Sequence, residues 1–156
     1  MRNALVLLVL IAIGSAGCAM RPLLDAAIGP MNRKATLEEV QKSYCDDIRF
    51  GLYEDAVEVV EPELRGEFLA AQRQLRDIRF TGYRIDSIEI EPTRTEAKAT
   101  VVYTGYWLSS PYEREITVVQ HWRLEVGTRN WYVTPPLETM LDPTGASEVS
   151  ANRILR

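Results

Sequence analysis

Histidine is almost missing from this chain of 156 residues: His121 is the only one. Cysteine stands at just two positions, 18 and 45. With so little imidazole and thiol there is no cluster with zinc-ligand spacing, and no Gly-rich phosphate loop or nucleophile elbow is present. No apolar run approaches the roughly 20 residues that a membrane-spanning helix needs; the run Ala4–Ile13 has 10. Basic residues are not in excess either. Lys and Arg number 18 against 22 Asp and Glu, a net charge of −4. That balance argues against nucleic acid as a partner and against electrostatic adhesion to anionic lipid. No cofactor, metal or catalytic residue is expected on these grounds.

What is present begins with Met1-Arg2-Asn3, a short basic start, followed by the apolar run and by Gly14-Ser15-Ala16-Gly17-Cys18. A run of that length matches the core of a secretory signal. The small residues and the cysteine resemble the lipobox of bacterial lipoproteins, with Ser15 where an aliphatic residue usually stands. The resemblance implies that residues 1–17 are a signal peptide and that Cys18 is the lipidation site. It also implies several acyl chains, and more than one chain is what stable anchoring takes. Ala19 after the cysteine implies the outer membrane, facing the periplasm. Cys45 is then the one remaining thiol, and a single thiol cannot form an internal disulfide. Its place in an apolar helical pattern reads as a small buried hydrophobe.

Ala19–Ala35, with Pro22, Gly29 and Pro30, reads as a tether, so residues 18–35 are expected to be a lipidated N-terminus and linker. Thr36-Leu37-Glu38-Glu39 is a capping-box pattern opening a helix with Leu37, Val40, Tyr44, Ile48 and Leu52 on one face. Gly51 is its natural stop. Tyr53–Glu61 is a shorter amphipathic piece, and Pro62 suits the first turn of a third helix, Glu63–Asp77, with Leu64, Phe68, Ala71 and Leu75 inward.

From Phe80 the period changes from helical to two, the mark of half-buried strands. Phe80–Glu91 is a first strand whose apolar register slips near Asp86-Ser87, which points to a bulge. Ala97–Leu108 and Arg114–Val126 form the central hairpin, and Trp131–Thr134 is a short last strand ended by Pro135-Pro136. Residues 138–156 are expected to be a mobile tail. The expected architecture is α+β: three N-terminal helices packed on a curved four-stranded antiparallel sheet, over residues 36–137.

Element order, Leu52-Tyr53-Glu54-Asp55-Ala56, and Gln120-His121-Trp122-Arg123-Leu124 with Trp131-Tyr132-Val133 resemble the nuclear transport factor 2-like superfamily, a cone of sheet closed by helices. The resemblance implies a pocket inside the cone. Strand parity places Tyr83, Tyr103, Trp107, Gln120, Trp122 and Trp131 as its candidate lining, suited to a small apolar ligand. Gln120 is the polar member of an apolar row. It is either an orienting group for that ligand or bonded to the backbone or to Tyr44. Val102, Tyr106, Val119 and His121 fall on the outward face and are candidate interface residues, for another protein or a second copy. The leading expectation is a non-catalytic interaction module at the membrane surface, with a ligand binder or an enzyme acting on such a ligand as alternatives.

Overall fold

The first strand, β1 (Ile78–Ile90), opens an antiparallel meander that runs on through β2 (Glu96–Trp107), β3 (Arg114–Glu125) and β4 (Asn130–Thr134). The structure is a computed structural model that describes residues 21–110, 112–142 and 147–148, the side chains of 21–32 and 147–148 excepted. Each strand pairs with the next in sequence, and a two-residue β5 (Ser147–Glu148) adds to β3 at Arg114 and Glu115. The signal segment and Cys18 lie outside the described residues. Among the described residues no helix is long and apolar enough to cross a membrane.

The chain divides between Thr36 and Leu37 into two compact units. In the first, the backbone is helical from Arg21, where a linker was expected. Thr36 is therefore not a helix cap. It lies inside helix α1 (Arg21–Phe50), and its hydroxyl donates to the Arg33 carbonyl at 3.0 Å. In the second unit α1 ends at Gly51, whose φ of 71° is the left-handed conformation that glycine takes without penalty. The amide of Leu52 bonds the Asp47 carbonyl and that of Gly51 the Ile48 carbonyl, closing the end of the helix.

The expectation of three helices before a four-stranded sheet is corrected: two helices precede it, α1 and α2 (Arg65–Leu75), and the sheet has a fifth short strand. The expected middle helix reduces to one turn, Tyr53–Ala56, and a 3-10 turn, Val57–Val59. Its β-branched Val57, Val59 and Val60 are poor helix formers. The chain gains more by straightening: Val60 bridges Val133 of β4 in parallel, and the Glu61 amide donates to the Val133 carbonyl at 3.1 Å. That contact covers the outer edge of β4. The other edge, β1, is interrupted by two register shifts, at Phe80/Gly82 and Ile85/Ser87. The second is the bulge that the sequence places near Asp86. Both devices discourage pairing of edges between molecules.

The tail is also partly built in. Helix α3 (Leu137–Leu141) follows the two prolines, and its Leu137 and Met140 are buried. One core joins the inner sheet face to α1, the Tyr53 turn, α2 and α3. On β3 the alternation is regular: Ile116, Val118, Gln120, Trp122 and Leu124 are buried, while Thr117, Val119, His121, Arg123 and Glu125 are exposed. At Gly105 a Cβ would lie 2.7 Å from the Arg79 carbonyl oxygen, so only glycine lets β1 and β2 approach there.

Candidate functional site

The apolar stripe of α1 carries a polar member. Leu37, Gln41, Tyr44, Cys45 and Ile48 are each 0% exposed, at helical spacing. Gln41 and Gln120 are the two buried polar residues of the described core, and they meet. Gln41 Nε2 donates to Gln120 Oε1 at 3.4 Å, and Trp122 Nε1 donates to the same oxygen at 3.3 Å. The other end of the Gln120 amide donates to Tyr103 Oη at 3.3 Å and to Cys45 Sγ at 3.6 Å. Tyr103 Oη donates in turn to Cys45 Sγ at 3.3 Å. Gln120 thus pairs with Gln41 in place of the backbone or Tyr44, the partners expected for a structural role; Gln41 is a polar residue on the inward stripe of its helix. The signal was available, since Gln41 stands four residues after Leu37 and three before Tyr44.

This network is closed to solvent. Gln41, Tyr44, Cys45, Tyr103 and Gln120 have no accessible surface, so no water-sized space adjoins them. Burial pushes the Cys45 thiol up, against the lowering effect of its two donors. Burial likewise raises the Tyr44 and Tyr103 phenols. A thiolate nucleophile needs the opposite environment. Gln41 Oε1, Tyr44 Oη and Trp131 Nε1 are buried and find no hydrogen-bond partner, which disfavours the folded state by about 1–3 kcal/mol for each such atom.

The remaining candidate pocket residues are spread apart. Trp131 is buried at 2% exposure on β4. Tyr83 sits at the rim, donating to Asp46 Oδ1 at 2.9 Å. Lys42, the largest influence, and Tyr83 hold the Asp46 carboxyl below its ordinary range. Trp107 is half-buried near the end of the central hairpin, with the Arg114 guanidinium 5.8 Å from its ring centroid.

On the outward face the candidates are not equivalent. Val119 is 45% exposed and His121 is open, with Tyr106 half-buried. Val102 is 2% exposed, a correction to its reading as a free interface residue. Arg84, opposite Val102 on β1, reaches across β2 to Glu115 on β3 at 2.8 Å. Val102 lies beneath that ion pair. Near His121 a recess of about 160 Å³ is lined by Glu61, Lys98, Arg123 and Thr134 among others. Glu61 holds it together, accepting from Thr134 Oγ1 at 3.1 Å and standing 3.5 Å from Arg123 Nε. Among the described residues no group of three or more His, Cys, Asp and Glu side chains is arranged to hold a metal ion.

Comparison with known proteins bears on the fold alone. No family model matches the chain, and no curated protein does. A solved structure does: a SEC-C motif-containing protein from Rhodopseudomonas palustris. It is 14% identical, covers 81% of this chain and 91% of its own, and has a TM-score of 0.53. This corrects the expectation of a nuclear transport factor 2-like domain. The neighbour that emerges is of another description. The aromatic signature that carried the resemblance is accounted for by core packing of Tyr53, Trp122, Trp131 and Val133. Helices followed by an antiparallel meander are a general architecture, and architecture does not fix function.

Proposed function

We propose that the chain is a cell-envelope protein, lipid-anchored at Cys18 and facing the periplasm from the outer membrane. In this reading its folded body docks another protein on the outward face of the sheet and catalyses nothing. The observation that carries this reading is the contrast across β3. The inward row is buried down to Gln120, whose amide is taken up by Gln41, Trp122, Tyr103 and Cys45. One residue along, Val119 and His121 present an open surface at mid-strand. The anchor rests on the apolar run Ala4–Ile13 and the small residues leading to Cys18.

Cys18→Ser tests the anchor. The variant should move from the membrane to the soluble fraction on cell fractionation; retention in the membrane would remove lipid as the attachment. Chemical crosslinking in intact membranes, with and without Val119→Arg, tests the docking face. Crosslinks to another protein should be lost in the variant, and their persistence would refute an outward-face site.

A further inference from the structure

The charges on the outward face are arranged so that the face complements itself. The level of Val119 on β3 is that of Thr100 on β2 and Ser87 on β1. On β3, Glu115 stands four residues before this level and Arg123 four residues after it. On β1 the order of sign along the same axis is reversed in kind: Arg84 is level with Val102 and Glu89 with Lys98, on opposite sides of Ser87. Reversing the sheet about that level therefore brings Glu115 to the place of Arg123, and Arg84 to the place of Glu89.

We propose that the partner on this face is a second copy of this chain, packed sheet on sheet about a two-fold axis crossing β3 at Val119; this rests on the docking role proposed above. Such an axis, lying between the sheets and across the strands, sets each strand antiparallel over its own counterpart. Val119 meets Val119, Thr117 meets His121, and Glu115 meets Arg123. On β1 Arg84 meets Glu89, and on β2 Glu96 meets Thr104, while Lys98 comes to the level of Val102, which is itself covered. Symmetry makes each match twice, so four opposite-charge pairs surround the two valines; Asp86, in the bulge beside Ser87, is neutralised within its own chain by Arg84 at 3.0 Å. Self-complementarity of one patch is what a two-fold interface requires, and opposed like charges are what would forbid it. Further out, Glu125 falls opposite Glu113, where the twist of two stacked sheets carries their strand ends apart.

The size of the face sets the expected strength. Three strands of twelve or thirteen residues at ~3.3 Å per residue and ~4.8 Å spacing present roughly 40 by 15 Å. That is about 600 Å² per copy, below the ~800 Å² of a standard interface. The dimer is therefore expected to be weak in free solution, and attachment to one membrane raises the effective concentration of the two copies.

A residue on a two-fold axis faces itself, and this gives a decisive experiment. The intact chain in density-matched detergent is followed by sedimentation equilibrium from micromolar to millimolar concentration, alongside Val119→Arg, Val119→Glu and their equimolar mixture. Wild type should dimerise, and each variant alone should associate at least about tenfold more weakly, since like charges then meet at the axis. The mixture should recover association through Arg–Glu heterodimers. Arg123→Glu, which removes the attraction to Glu115, is a second probe and should also weaken the dimer. Thermal unfolding of every variant at the parent temperature establishes that the fold is intact. A monomeric wild type, variants that dimerise like the parent, or a mixture that stays monomeric would each overturn the proposal. If wild type is monomeric while Val119→Arg still abolishes crosslinks to a different protein in membranes, the second copy is wrong and the docking face stands. Crosslinks and dimers both unaffected by Val119→Arg would sink the two readings together.

Discussion

On the inward side of β3, Gln120 and Trp122 are within 2% of complete burial, while the intervening His121 and the preceding Val119 stand open on the outward side. The two sides differ in how their polar groups are satisfied. Inside, an amide, a phenol, an indole and a thiol share one network with no solvent to replace a lost partner. Outside, Arg84 with Glu115 and Arg123 with Glu61 pair at a surface where water stands in for either member. The same strand is thus committed on one side and available on the other, and mutation should expose the difference.

The largest effect is expected at Trp122, which packs edge-on to Tyr44 at a centroid distance of 5.9 Å. Trp122→Ala should cost about 3–5 kcal/mol in denaturant unfolding, as truncation of a core aromatic does; a loss well under 1 kcal/mol would show that the inward face is not the core. Next comes Gln120→Leu. It strands the Gln41 amide and the Trp122 indole, and should cost about 1–3 kcal/mol. Adding Gln41→Leu to it should cost less than the two single changes summed, because the pair acts as one unit.

Alkaline pH makes the same comparison without mutation. Burial raises the Cys45, Tyr44 and Tyr103 groups above their ordinary values, favouring their neutral forms in the folded state. A raised acid of this kind contributes in full below its unfolded pKa and loses that contribution as pH rises. The melting temperature should therefore hold up to about pH 9 and then fall as the unfolded thiol, and near pH 10 the unfolded tyrosines, release protons. Tyrosinate absorbance from Tyr44 and Tyr103 should appear only with unfolding. The smallest effect belongs outside: Arg84→Ala, losing an ion pair whose arginine is 43% exposed, should cost no more than about 1 kcal/mol.

Most of the sheet was legible because its signal is local. The alternation matches the buried and exposed residues of β3 from Ile116 to Glu125, and the slip from Ile85 to Ile88 announces the bulge. The helices were less legible because their limits depend on what lies elsewhere. Thr36-Leu37-Glu38-Glu39 has the form of a helix start, yet the helix already runs from Arg21. The valines at 57, 59 and 60 fit an amphipathic pattern, yet β4 offers Val60 a strand partner some seventy positions away in sequence. Inside the core, residue type hid the chemistry. Gln120 was visible as an exception in its row, but Gln41 was lost on a helix whose polar residues mostly face water. On the outward face, Val102 read as free because no pattern reveals that Arg84 and Glu115 close over it.

The two sheet edges carry a last consequence. With Val60 and Glu61 laid along β4 and β1 broken twice in its course, neither flank offers an uninterrupted ladder to a neighbour. Molecules crowded side by side on a surface would find no template for adding strand to strand. Growth into a fibre by strand addition at either flank is thereby discouraged.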